Sequence, residues 1–266
     1  MLALIPYFTI PIVELGPIVL DSWAILVSAG FIFGLEVGRA RGIRLGQDVR
    51  DIVDSALFIV GMGFVVGHFV HVLAYNPHQL EEQGIWALLK IWAGFSSYGG
   101  FLGAVIGAIL FFKAIRPRPF WAHADTVMFG FPFGWVLGRL GCFTAHDHIG
   151  RLSDFALAVD FPGGARHDLG LYEALWTMVI AAVFWGLRKK DVKPGFFVAL
   201  WCAMYAPIRF ILDFLRNTDL GGADVRWLGL TPAQYGSLAM FLAGLGLVVY
   251  LRQGGGEYTV AESAEE

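Results

Sequence analysis

GRLGCFTAHDHIGR, residues 138–151, ends an apolar run with an arginine and passes at once into two histidines, an aspartate and a second arginine. What that arginine means depends on the solvent around it. The 266-residue chain is 57% hydrophobic and 15% charged, with 34 glycines, a balance found in membrane proteins rather than soluble domains. Apolar runs near the roughly 20 residues that cross a bilayer recur along its whole length. They fall at about 19–40, 52–75, 96–115, 122–143, 170–188, 194–215 and 232–252. The pattern predicts an all-α polytopic membrane protein with seven transmembrane helices, Arg139 inside the fourth and a polar segment, 144–169, outside it.

Basic residues set the orientation. Twelve fall in one class of loop: Arg39, Arg41, Arg44 and Arg50, then Lys113, Arg116 and Arg118, then Arg188, Lys189, Lys190 and Lys193, and finally Arg252. The other class holds five, namely Lys90, Arg151, Arg166, Arg216 and Arg226. The bias predicts an N-terminus outside and a C-terminus in the cytoplasm. Residues 1–252 read as a single transmembrane domain, with the opening stretch MLALIPYFTIPIVELGPI along the interface and 253–266 as a disordered cytoplasmic tail. Its two prolines and lack of a basic start make that stretch a poor signal peptide. Cys142 and Cys202 lie at different depths and are expected to be free thiols. Glycines at 99, 103 and 107 and at 130, 134 and 138 repeat every four residues, which predicts close helix packing.

With this orientation, Arg139 lies about 6 Å below the outer surface and Arg209, on the sixth span, lies at nearly the same depth. Trp23, His68, His71, Tyr98 and Glu173 share that layer, whereas the inner half is poor in ionisable groups apart from Glu36. A buried membrane arginine is costly and is usually paired or functional. A salt bridge from Arg209 to Asp213, one turn on, is the ordinary structural explanation. Two arginines on different spans at one depth also suit a phospholipid phosphate, because a guanidinium is a planar fork of donors. His146, Asp147, His148, Arg166, His167 and Asp168 crowd the same end. They fit no familiar zinc-ligand spacing, so no metal and no cofactor are expected. Nothing in the chain suggests nucleic-acid binding.

These residues resemble the prolipoprotein diacylglyceryl transferase family. Its signature, Gly-Arg-x-Gly-Asn-Phe-x-Asn-x-Glu-x-x-Gly, is matched at Gly138, Arg139, Gly141, Phe143 and Gly150, with Asp147 standing for the glutamate. YGGFLGAVIG (98–107) is similar to the family's His-Gly-Gly-x-x-Gly start of a span. RHDLGLYEA (166–174) matches at His167, Leu171, Tyr172 and Glu173, and YAPIRFILDFLR (205–216) at Tyr205, Arg209, Phe210, Phe214 and Arg216. GLTPAQYGSL (229–238) is similar to the opening of the last span.

The resemblance implies transfer of the diacylglyceryl group of phosphatidylglycerol to the lipobox cysteine in the signal peptide of a preprolipoprotein. It places the protein in the bacterial inner membrane, among membrane lipids, with its active site near the outer leaflet. Arg139 and Arg209 are then the phospholipid-binding arginines, and the residues expected around substrate are Tyr98, Cys142, Asp147, Gly150, His167, Tyr172, Glu173 and His68. The chain departs from the pattern where Tyr98 replaces the histidine before Gly-Gly, Cys142 replaces asparagine, His68 replaces arginine, and Asp168, Leu169 and Gly170 replace Pro-Ser-Gln. Tyr98 is therefore expected to position substrate, and His146, with His148 or His167 as substitutes, to act as the base. The alternatives are a non-catalytic lipid- or lipoprotein-binding paralogue and a transporter with a histidine proton relay; the scarcity of polar groups in the inner half opposes the second.

Overall fold

The structure is a computed structural model that describes residues 5–16, 18–91, 93–220 and 226–255. Of the predicted tail, residues 256–266 lie outside the described residues. Seven helices are long and apolar enough to cross a membrane: Ser22–Arg44, Val49–Leu73, Ser97–Ile115, Phe120–Ala145, Leu169–Leu187, Phe196–Leu215 and Pro232–Arg252. All seven predicted spans are present, with ends shifted by a few residues. The first helix runs on through Arg41 and Arg44, cations that suit the negative end of a helix dipole.

In chain order the elements are strands β1 (Ile5–Pro6), β2 (Val13–Leu15) and β3 (Ile18–Leu20), followed by helices α1 (Ser22–Arg44) and α2 (Val49–Val70). The short helices α3 (His78–Gln83) and α4 (Trp86–Leu89) precede α5 (Ser97–Leu110) and α6 (Phe120–Ala145). Strands β4 (Ile149–Leu152), β5 (Val159–Phe161) and β6 (Gly164–Asp168) then lead to α7 (Leu169–Leu187), α8 (Phe196–Leu212) and α9 (Pro232–Arg252). Among the described residues the contacts divide the chain into two compact units, one from residues 5–38 and 128–255, the other from residues 39–127.

In the first unit, α1 and α6 meet through glycines. A Cβ on Gly130 would lie 2.1 Å from the Gly34 carbonyl oxygen, and one on Gly30 2.6 Å from that of Gly134. Only hydrogen allows backbones this close. Gly138 departs from the expected packing face, since a Cβ there meets nothing within 4 Å. Below the polar end, Phe129, Ile180, Phe184, Phe197, Trp201 and Tyr205 form the buried core.

The polar segment between α6 and α7 is not an open loop. β1, β5, β6 and β4 form one sheet in that order, with β5 and β6 joined in antiparallel register, Phe161 opposite Gly164. Gly163 and Gly164 have φ of 96° and 124°, backbone that favours glycine, and so close the hairpin. Gly150 on β4 has a packing role: a Cβ would come within 2.6 Å of the Leu215 carbonyl oxygen, where the chain after α8 bridges to β4 through Arg216. Arg166 grips Asp219 with two hydrogen bonds of 3.0 and 2.5 Å and fastens the same region to β6. That contact holds the Asp219 carboxyl below its usual range.

In the second unit, α5 packs on α2 through the predicted face of Gly99, Gly103 and Gly107; a Cβ on Gly103 would lie 2.4 Å from the Met62 carbonyl oxygen. Asp51 in the first turn of α2 is buried between Arg116, at 3.1 Å, and Arg118, at 2.6 Å.

Candidate functional site

The site is assembled from residues one helical turn apart. On α6, Trp135 precedes Arg139 by four, and the guanidinium lies over the indole at 4.6 Å from its ring centre. On α8, Tyr205, Arg209 and Asp213 share the same spacing, and Arg209 Nη1 donates to Asp213 Oδ1 at 2.6 Å. The expected ordinary pair of Arg209 with Asp213 is therefore present. It is one part of a larger constellation, because Glu173 near the start of α7 reaches both arginines. Its Oε2 lies 3.1 Å from Arg139 Nε and its Oε1 3.3 Å from Arg209 Nε.

Tyr205 completes the bridge. Its hydroxyl donates to Glu173 Oε2 at 2.6 Å and accepts from Arg139 Nη2 at 3.3 Å. Its ring stacks on Trp201 with centres 4.6 Å apart. Arg139 Nε and Glu173 Oε1 are close enough to form ion pairs but make no hydrogen bond, so each is a buried polar atom with bonding capacity left. Asp213 also accepts from the hydroxyl of Thr231. Thr231 caps α9, and its reciprocal bonds with Gln234 close a capping box that fixes this end of the network.

The formal charges of two arginines and two carboxylates cancel. Each carboxylate restrains a guanidinium, so donors are aimed before any ligand arrives. That is preorganisation of the kind that stabilises a developing anion. Tyr205 is matched in the sequence but its central place is not, and Trp135 and Thr231 were missed. The four-residue spacing of an aromatic before each arginine was the available signal.

The outer histidines separate by role. His146 sits at φ 51°, a left-handed backbone unusual for a side chain of this size. Its Nδ1 meets Asp168 Oδ2 and its Nε2 the Phe8 carbonyl oxygen, each at 3.0 Å. Rings of Tyr7, Phe8, Phe143 and Phe161 enclose it. With both nitrogens turned to acceptors, His146 ties the N-terminal segment to α6 and β6, and the expected base role does not fit it. Asp168 caps α7 through the Leu171 amide at 3.1 Å, and burial raises its carboxyl above the usual range against the lowering effect of His146.

His167 Nδ1 pairs with the Tyr172 hydroxyl at 2.9 Å, and burial lowers the imidazole from its ordinary value. Both side chains line a groove of about 550 Å³ between α7 and α8, together with Phe155, Trp176, Ile208 and Leu212. His148 Nδ1 donates to the neighbouring Asp147 carboxylate, and both approach Cys142. Arg139 Nη1 lies 3.9 Å from the Cys142 sulfur. Cys142 and Cys202 are free thiols, as expected.

Two expected site residues belong to the second unit. Tyr98 occupies the first turn of α5, beside the Ser96 cap. His68 is fully buried, its Nδ1 2.9 Å from the Gly94 carbonyl oxygen and its Nε2 2.8 Å from that of Ala87. Those contacts hold the chain between α2 and α5, which is a loop-holding role in place of the arginine seen in the resembled pattern.

A family profile described as prolipoprotein diacylglyceryl transferase matches residues 11–250. The chain belongs to the prolipoprotein diacylglyceryl transferase family. It is similar to the phosphatidylglycerol–prolipoprotein diacylglyceryl transferase of Chromohalobacter salexigens, 32% identical over 249 residues that cover 91% of each chain. The protein of the same name from Pasteurella multocida is 33% identical over 244 residues, 90% of this chain and 88% of its own. That of Mannheimia succiniciproducens is 34% identical over 220 residues, 80% and 82% respectively. Within the family match lie Arg139, Glu173, Tyr205 and Arg209, the bridged centre of the site.

Proposed function

We propose that the protein transfers the diacylglyceryl group of phosphatidylglycerol to the lipobox cysteine thiol of preprolipoproteins. The observation that carries this is the convergence of Arg139 and Arg209 on Glu173 in a chain of this family. The phospholipid phosphate lies against the guanidinium donors turned away from Glu173. The acceptor sulfur attacks the glycerol carbon, the carbon–oxygen bond to phosphate breaks, and glycerol phosphate leaves with the electron pair. The arginines hold the charge that grows on its oxygens.

Apolar and polar features divide the substrate accordingly. The mostly apolar groove lined by His167 and Tyr172 is suited to an acyl chain. The Asp147–His148 end receives the acceptor, and the thiol loses its proton there. The loop charges support a bacterial inner-membrane protein with this site near the outer leaflet.

The test is purified protein with phosphatidylglycerol and a lipobox peptide, following release of glycerol phosphate and the mass of the peptide. Release with a matching mass gain is expected from the wild type and lost in Arg139→Ala and Arg209→Ala. Lipid binding without release would make the protein a binding paralogue.

A further inference from the structure

A cysteine acceptor has a pKa near 8.5, and only its thiolate is a nucleophile. His146 is committed on both nitrogens, and His167 is held by Tyr172. The side chains that do come together are Cys142, Asp147 and His148, whose sulfur, carboxylate oxygen and imidazole nitrogen all lie within 4.8 Å of one another. Among the described residues no other trio of cysteine, histidine and carboxylate donors meets so closely. The sequence obscures this cluster, because Cys142 belongs to the end of α6 and the other two to the turn that follows.

We propose that Cys142, Asp147 and His148 bind a divalent transition-metal ion, zinc by donor type, and that its fourth position takes the acceptor thiol. This deepens the transfer reading and rests on it for the role of the ion, although not for the site itself. Thiolate, imidazole and carboxylate are the donors zinc prefers, and three protein ligands with one open position define a catalytic rather than a structural site. Bonds of about 2.0–2.3 Å at tetrahedral angles place donor atoms roughly 3.3–3.6 Å apart. The widest separation, up to 4.8 Å, has to contract and the close Asp147–His148 contact has to open on binding, movements within reach of Asp147, an exposed side chain, and His148, a partly exposed one.

The site adjoins the phosphate end. Arg139 Nη1 is 3.9 Å from the Cys142 sulfur, so an ion held there lies next to the arginine that receives the leaving group. A thiol that coordinates such an ion is deprotonated outright. The acceptor thiol gives its proton to water on binding. Its sulfur then forms the bond to the glycerol carbon, the carbon–oxygen bond to phosphate breaks, and glycerol phosphate departs with the pair. The ion keeps its charge throughout, and no oxidant or reductant is required.

The experiment uses full-length protein in detergent, stripped with a chelator and titrated with cobalt(II). One equivalent is expected to bind, with a near-ultraviolet thiolate-to-cobalt band and the visible bands of tetrahedral cobalt, and zinc is expected to displace it. Cys142→Ser removes the thiolate band. His148→Ala weakens zinc at least as much as the roughly 100-fold that loss of a supporting group costs. The wild-type spectrum stands on its own if either variant misfolds. Absence of a stoichiometric thiolate band overturns the site. Glycerol phosphate release that continues unchanged in stripped protein overturns the role of the ion and leaves the transfer reading standing. Release lost on stripping and restored by one equivalent of zinc supports both. A bound metal with no release under any condition retains the site and refutes transfer.

Discussion

Glu173 is the residue on which the site turns, because two guanidiniums share its carboxylate. Removing one member of a buried ion pair leaves charge uncompensated and costs about 3–5 kcal/mol. Glu173→Gln, which keeps the shape, is therefore expected to lower the unfolding temperature sharply. Tyr205→Phe removes a hydroxyl hydrogen-bonded to charged groups, worth about 1.5–3 kcal/mol, and keeps the stack on Trp201. Thermal unfolding of both variants in one detergent checks the order, and equal shifts would refute the shared-carboxylate account. Arg139→Lys keeps charge but loses the fork. A lost charged hydrogen bond of about 1.5–3 kcal/mol corresponds to a fall of roughly ten- to 150-fold in kcat/KM for glycerol phosphate release. Arg139 and Arg209 were legible from composition and depth alone, since a charge in an apolar span demands a reason. The role of His146 was not. Its commitment to Asp168 and the Phe8 carbonyl depends on the N-terminal segment folding back over a distance of 138 residues, which no local pattern encodes.

At the scale of elements, the same four-residue glycine spacing produces two different outcomes. Gly130→Val drives a side chain into the Gly34 carbonyl region and is expected to destabilise the α1–α6 contact by about 1–3 kcal/mol, the range for overpacking. Gly138→Ala meets open space and is expected to unfold like the wild type. Parallel thermal unfolding distinguishes packing glycines from a merely periodic one. The seven helices were readable because each carries its own apolar length, and their caps at Asp48, Ser96, Asp168 and Thr231 are local. The four-stranded sheet was not readable, because its strands have two to five residues and pair with a terminus far away in sequence. His167 supplies a test of that region. Burial lowers its folded pKa, so the unfolded chain takes up a proton first as pH falls below about 6.5. Stability should be full above that value and decline as pH drops through it towards the folded pKa. His167→Gln, measured by unfolding temperature between pH 7.5 and 5, should show a shallower decline; an identical slope would exclude His167 as its source.

For the whole molecule, orientation decides whether the chemistry can meet its substrate. On the proposed transfer to a secreted precursor's cysteine, the end that carries Arg139, Glu173 and Arg209 is expected to face outward. The charges favour that arrangement: twelve basic residues in one class of loops against five in the other, a bias that keeps the richer loops in the cytoplasm. The ion pairs do not reverse it. Arg116 and Arg118 are paired with Asp51 in the finished fold, but topology follows basic residues during insertion, and acidic ones contribute little. Reporter fusions after residues 48 and 190 are therefore expected to read cytoplasmic, and one after residue 155, in the segment between β4 and β5, external. Removing charge gives a stricter version. Replacing Lys189, Lys190 and Lys193 with glutamine weakens the bias at one loop only, so the fusion after residue 48 should keep its cytoplasmic reading while any loss appears after residue 190. A cytoplasmic signal at residue 155 in the unmodified chain would place the arginine pair on the wrong side for a secreted thiol, and the transfer reading would fail with the topology.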